Sequence, residues 1–200
     1  PKRYRSVEDE PFDFFPIRAT EEMIRERDYV QSLYEGEVRY VDESIGRLLD
    51  TVEDRNLNDS TYIFFSSDHG EEFWDHGGFG HGHTVFNEQL RVPLIVSGPD
   101  IANTTIDYPI SGIDIIPTMA ELLGQPPYDE WRGTSIAPFL KGEKMSRQDR
   151  PVFAQATGLL PPSPEPLQTV LQWPFKLIRG MESNTYRLFN IENDPGETKD

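Results

Sequence analysis

Residues 61–84 read T-Y-I-F-F-S-S-D-H-G-E-E-F-W-D-H-G-G-F-G-H-G-H-T, and the change of character inside this stretch decides the fold class. Its start, Thr61–Phe65, is a short apolar run of β-favouring residues, which predicts a strand. The polar, glycine-rich remainder, Ser66–Thr84, predicts a loop. Because a helical pattern comes before the run, the order of helix, strand and loop is typical of an α/β sheet.

That helical pattern occupies the region upstream of the strand. Apolar residues recur every three or four positions from Val30 to Val52, which predicts one face of a long amphipathic helix that serves as a packing element. Thr20 fits its N-cap, and two glutamates follow where the helix dipole favours acids. Gly36 and Gly46 weaken a helix, so we expect them at close contacts with a neighbouring element.

Downstream of the loop, the pattern predicts more of the α/β unit and then a small sheet. Leu94–Val96 is a second candidate for a buried strand. Asp114 is expected to cap a helix that runs through Leu123 and ends at Gly124. One further strand and three alternating runs, separated by turns, predict a C-terminal antiparallel sheet: Pro151–Ala156, Thr169–Trp173, Phe175–Arg179 and Tyr186–Ile191. We therefore expect an α/β domain at residues 1–145 and a small, incomplete β subdomain at 146–200.

Composition excludes several classes of function. The 200 residues carry a net charge of −16, which argues against nucleic-acid binding because that requires a basic surface. The sequence has no cysteine, so disulfides, thiolate metal sites and a cysteine nucleophile are excluded within it. No apolar run approaches the roughly 20 residues that a membrane span needs. The chain starts without Met or a signal segment, which suggests an excised or incomplete chain.

The chemistry is expected in the loop, because all four histidines of the chain lie there. Asp68 and His69 come directly after the predicted strand, at the end where ligands collect in α/β folds. A carboxylate and an imidazole at that point can both bind one divalent cation. His69 and Asp68 are therefore the candidate metal ligands.

The other three histidines, His76, His81 and His83, are candidates for binding or proton transfer. A neutral imidazole can bind metal, and a charged one can neutralise an oxyanion or protonate a leaving group. Ordering the loop through hydrogen bonds is the alternative for each of them. Glu71 and Glu72 are expected to be solvated rather than ligands, as carboxylate pairs on loops usually are.

The stretch Ser66–Thr84, followed by N-E-Q-L-R-V-P-L-I-V, closely resembles the sulfatase family of the alkaline phosphatase superfamily. Four more blocks resemble the same family in the same order, so that the likeness covers nearly everything from about residue 25 onward: Tyr34–Leu49, Asp114–Gly124, Arg132–Gly142 and Leu188–Glu197. The resemblance implies an alkaline-phosphatase-like mixed sheet flanked by helices, with a small C-terminal antiparallel subdomain.

The resemblance also implies a sulfuric ester hydrolase that acts on a small-molecule or carbohydrate sulfate ester. Asp68 and His69 would complete the site of a divalent cation, expected to be Ca2+, with Mn2+ or Zn2+ as alternatives. His81 would contact the sulfate or protonate the leaving group, His76 is the second catalytic candidate, and His83 is a further substrate-binding candidate. The nucleophile in such enzymes is a formylglycine made in a Cys/Ser-x-Pro-x-Arg motif.

Two departures from the family pattern qualify this hypothesis. No such motif is present, since Ser97–Pro99 lacks the downstream Arg, and the paired N-terminal acids are missing. We therefore expect half an active site, and no turnover by this chain alone. His69 stands where many sulfatases carry Asn, and Asp-His also occurs in phosphonate and phosphodiester hydrolases. Such a hydrolase, or a non-catalytic module with the same fold, is the alternative, and residues 1–18 and 158–167 are the candidate specificity loops.

Overall fold

The computed structural model describes residues 25–143, 150–157 and 165–199. Helix α1 (Arg27–Asp54) confirms the predicted amphipathic helix, and the expected cap at Thr20 lies outside the described residues. No residue of α1 is buried, although Tyr34 contacts Phe73 with ring centroids 5.2 Å apart. A Cβ added at Gly36 or Gly46 would meet no neighbouring element within 4 Å. The expectation of close contacts at these glycines is therefore wrong.

The predicted strand after the helix is present and pairs with the second predicted strand. The elements of this region are β1 (Ile63–Ser66), β2 (Glu72–Phe73), β3 (Phe79–Gly80), α2 (Asn87–Leu90) and β4 (Leu94–Ser97). β1 and β4 are antiparallel, with Phe65 opposite Ile95. β4 is half-buried on one face and exposed on the other, since Ile95 is 60% exposed, which corrects the expectation of a buried strand.

One face of the β1–β4 pair packs on two short helices, α3 (Ile115–Leu122) and α4 (Ala137–Leu140). The core there is formed by Leu122, Ile136, Ala137, Phe139 and Leu140, against which Phe64 and Val96 pack from the strands. Because apolar side chains alternate along a strand, only one face of each strand can enter this core.

Asp114 caps a different turn from the one that the sequence predicted. A 3₁₀ turn, Gly112–Asp114, precedes α3, and Asp114 and Ser111 form a capping box around that turn. The Asp114 carboxylate also accepts a hydrogen bond from Thr134 N at 2.8 Å and pairs with Arg150. Asp114 therefore stands at the N-cap position of α3 as expected, but its side chain ties two loops together and makes no capping hydrogen bond to α3. Gly124, at φ +69°, ends the helix region as expected.

The C-terminal sheet has four antiparallel strands in sequence order, β5 (Val152–Ala156), β6 (Leu167–Gln172), β7 (Phe175–Gly180) and β8 (Tyr186–Asn190). The three predicted runs and the strand candidate at 151–156 are thus confirmed, and they form one sheet. Its buried face shares a core with the loop region, formed by Val85, Phe86, Ala156, Ile178, Phe189 and Ile191. This core joins residues on both sides of the predicted division at 145/146, which stays a prediction.

Candidate active site

The candidate site begins where the chain leaves β1. Ser67 Oγ donates a hydrogen bond to His69 O at 2.7 Å, and Gly70 N donates to Gln89 O at 2.8 Å. A Cβ at Gly70 would collide with the carbonyl of Glu88, so only glycine allows this close approach to α2. The backbone therefore turns sharply after β1 and leaves Asp68 and His69 at the end of the strand.

Asp68 and His69 present ligand atoms to the same space. Asp68 Oδ2 lies 3.6 Å from His69 Nε2, and the Asp68 side chain is exposed. A hydrogen bond from its own backbone amide, and then the nearby His69, lower the pKa of Asp68 below its ordinary value. His69 Nδ1 lies 2.9 Å from Gly70 O, and a ring that donates there keeps its Nε2 lone pair beside Asp68.

His81 joins this surface through Glu71. The His81 ring stacks on His69 with centroids 3.8 Å apart, and His81 Nδ1 lies 3.1 Å from Glu71 Oε2. Among the described residues, His69, Glu71 and His81 offer ligand atoms within 4.8 Å of one another. Sequence reasoning missed Glu71. Glu71 directly precedes β2, and neighbouring side chains along an extended chain point to opposite sides. This alternation could have indicated that Glu71 and Glu72 lie in different environments.

Glu72 lies on that opposite side and is 1% exposed, so the expectation that both glutamates are solvated is wrong for this one. Its carboxylate accepts hydrogen bonds from Gly78 N at 2.7 Å and His76 N at 3.0 Å. It also lies 2.8 Å from His83 Nε2. Burial by itself would raise the pKa of Glu72, but the partners His83, Gly78 and His76 lower it on balance.

Two histidines of the loop, His76 and His83, lie on its inner side. His83 is 4% exposed and lies beside Glu72. Burial by itself would lower the pKa of the His83 ring, but Glu72 and smaller neighbouring contributions raise it above its ordinary value on balance. His76 Nδ1 lies 2.7 Å from Glu88 Oε1, and its ring stacks on Phe86. The structure thus brings Asp68, His69 and His81 to one surface and places His76 and His83 on the inner side of the loop. The roles of all five residues in a reaction stay predictions.

The described residues include no helix with the length and apolar character needed to cross a bilayer. The chain matches the Sulfatase family over residues 5–125 and the family of N-sulphoglucosamine sulphohydrolase C-terminal regions over residues 74–200. This chain therefore belongs to the sulfatase family.

Individual relatives agree. A choline-sulfatase of Rhizobium meliloti is 30% identical over 189 residues, which is 92% of this chain and 35% of the relative. Arylsulfatase K of Danio rerio is 24% identical over 100% of this chain and 39% of its own length. The chain thus spans little more than a third of these curated relatives.

Solved structures show the same fold. A protein in complex with its substrate D-glucosamine-2-N,6-O-disulfate matches with a TM-score of 0.71 and 28% identity, over 82% of this chain and 34% of that one. A phosphonate monoester hydrolase of Agrobacterium radiobacter gives a TM-score of 0.72 at 26% identity, over 86% and 36%. A protein of Bacteroides fragilis, at 21% identity over 96% and 44%, gives 0.77 and supports the fold alone. The expected alkaline-phosphatase-like α/β fold is confirmed.

Proposed function

We propose that this chain supplies one wall of the active site of a sulfuric ester hydrolase. The observation that carries the proposal is the surface at the end of β1, where His69 lies beside Asp68 and stacks on His81. Family membership supports it, since Asp68, His69 and His81 all lie within the region that matches the Sulfatase family, residues 5–125. The substrate we propose is a small-molecule or carbohydrate sulfate ester.

The family implies a divalent cation, and the residues at this surface fit one. Asp68 is exposed and its pKa is lowered, so its charged form is favoured as a ligand. His69 offers the Nε2 lone pair, and Glu71 adds a second carboxylate within 4.8 Å of the His69 ligand atom. An imidazole ligand suits Zn2+, whereas Ca2+ and Mn2+ prefer oxygen ligands, so the expected Ca2+ stays a prediction to be tested against Mn2+ and Zn2+.

We assign His81 to the ester. A ring that donates Nδ1–H to Glu71 is held in one orientation, and its Nε2 is left to face a ligand. In its charged form Nε2–H can donate to a sulfuryl oxygen or protonate the leaving group. The formylglycine nucleophile of the family is expected outside these residues, which contain no cysteine. The predicted catalytic role of His76 and the substrate role of His83 stay alternatives to positioning roles.

A second candidate is the hydrolysis of phosphonate or phosphate esters. It is favoured by the Asp68–His69 pair and by the likeness to a phosphonate monoester hydrolase. A sulfate ester carries one negative charge and a phosphate monoester carries two. In a protein that also contains the nucleophile, stronger competition by sulfate than by phosphate supports the sulfatase, and the reverse order supports the second candidate.

Calorimetric titration of Ca2+, Mn2+ and Zn2+ into this chain tests the cation site. We expect Asp68→Ala to weaken binding by about tenfold or more, since removal of a ligand costs at least as much as removal of an outer partner. Asp50→Ala, on the exposed face of α1, is the matched control and should bind as the unmodified chain does. Equal affinity in Asp68→Ala and the control would remove Asp68 from the site. Turnover of a sulfate ester by the purified chain would contradict the proposed division of the active site.

A further inference from the structure

Buried charges join the loop Ser66–Thr84, here called the histidine loop, to the C-terminal sheet. Lys176 on β7 and Glu197 near the C-terminus are 2% and 0% exposed, and Nζ lies 2.6 Å from Oε1. Lys176 Nζ also donates to Asn87 Oδ1 at 3.0 Å, and Asn87 N donates to Glu197 Oε2 at 2.6 Å. Asn87 is the first residue of α2, so the pair holds the start of that helix against the sheet.

His76 extends this arrangement into the loop. Its Nδ1 lies 2.7 Å from Glu88 Oε1, and its Nε2 lies 3.2 Å from the backbone oxygen of Glu197. Both partners are acceptors, so both ring nitrogens can donate only when the ring is a charged imidazolium. The ring also stacks on Phe86 at 3.6 Å, and the Arg187 guanidinium lies 5.1 Å from the centre of Phe86.

The charges balance inside this arrangement. When the His76 ring is charged, the cations His76 and Lys176 match the anions Glu88 and Glu197. Burial lowers the pKa of Lys176, and the neighbouring Glu197 only partly offsets this effect. Removal of one member therefore leaves an opposite charge buried without its partner, which is far more costly than the loss of a surface pair.

The position of His76 gives these charges a consequence for the candidate site. β2 and β3 form a small hairpin in which Glu72 pairs with Gly80. His76 lies in the turn of this hairpin, while Glu71 and His81 follow directly at its two open ends. An anchor at the turn restricts rotation of the hairpin, and that rotation would move Glu71 and His81 together relative to His69, on which the His81 ring stacks.

We propose that His76, Glu88, Lys176 and Glu197, here called the buried charge network, position the histidine loop, so that the C-terminal subdomain sets where Glu71 and His81 lie relative to His69. These four are positioning residues and not catalytic ones. Only the consequence for cation binding rests on the proposed function. The positioning itself is a property of the folded chain.

The test compares Glu197→Gln and Glu88→Gln with the control Glu192→Gln, an exposed glutamate near the same C-terminal turn. NMR of labelled histidine rings reports the titration of His76, and hydrogen exchange reports the order of residues 74–81. In the unmodified chain we expect the His76 ring to stay doubly protonated at pH values above 6.5, its ordinary pKa. Both network variants should lower that titration midpoint and raise exchange in the loop about tenfold or more.

Two results would overturn the proposal. One is an unchanged His76 titration with loop exchange equal to that of Glu192→Gln. The other is exchange that rises equally in β1, α3 and the loop while His76 titrates as before, because that is loss of global stability alone. If Glu197→Gln does not fold, Glu88→Gln decides the matter, since Glu88 is 15% exposed and lies at the edge of the network.

A cation titration separates this inference from the proposed function. If the unmodified chain binds a divalent cation, both network variants should bind it more weakly, while Glu192→Gln should not. A chain that binds no cation would refute the proposed cation site. The positioning role would then still stand or fall on the titration of His76 and the exchange of the loop.

Discussion

Replacement of the buried Gly78 by alanine should destabilise the histidine loop. A Cβ at Gly78 would lie 2.5 Å from His83 Nε2 and 2.8 Å from Glu72 Oε2, distances that real Cβ atoms do not tolerate. Either side chain must withdraw, which breaks their 2.8 Å contact and leaves the Glu72 carboxylate buried with fewer partners. A hydrogen bond to a charged group contributes about 1.5–3 kcal/mol, so we expect a loss of about 2–4 kcal/mol.

Urea denaturation followed by tryptophan fluorescence measures this loss, because Trp74 lies in the same loop. In a thermal melt, the same loss corresponds to a fall in Tm of about 4–16 °C for a chain of this size. Gly112→Ala is the control, since Gly112 is exposed and a Cβ there meets nothing within 4 Å. Its stability should change by no more than about 0.5 kcal/mol. If Gly78→Ala were as stable as Gly112→Ala, the packing of Glu72 and His83 would not be as described.

Three further predictions follow from the same structure. Lys176→Met should cost about 3–5 kcal/mol in urea denaturation, because it leaves Glu197 buried without its cation, and the exposed Lys141→Met should cost almost nothing. Gly36→Ala should increase helix content by circular dichroism and stabilise α1 by about 0.5–1 kcal/mol, and a loss of helix would contradict the open surroundings of this glycine. Burial alone would lower the pKa of His76, but Glu88 and other acceptors raise it above 6.5. Protection of the loop amides from hydrogen exchange, corrected for intrinsic exchange rates, should therefore be full below pH 6.5 and be lost as the pH rises through the raised pKa of His76. Protection that increases with pH would refute this direction.

Local pattern was enough for most elements of the fold. The three- and four-residue spacing predicted α1, and short β-favouring runs between turns predicted β1, β4 and the C-terminal strands. These signals are local, because they depend on which side chains suit a helix face or a pleated strand. Burial was predicted less well. Ile95 is exposed and α1 has no buried residue, because burial depends on which element covers a face.

The sequence also located the candidate site, since Asp68 and His69 follow β1 directly and the histidines cluster in one loop. It could not show which titratable side chains of the loop are buried and which are exposed. Two glutamates that are adjacent in sequence lie in opposite environments, with Glu72 buried against His83 and Glu71 beside His81.

The sequence by itself determined the helix, the strands, the glycine-rich loop and the membership of the sulfatase family. Only the tertiary structure decided which titratable side chains face outward and which are buried. The reason is physical, since the partners that neutralise a buried charge come from distant parts of the chain. His76 meets the backbone oxygen of Glu197, 121 positions away in sequence. Such contacts exist only after the C-terminal sheet has packed against the loop.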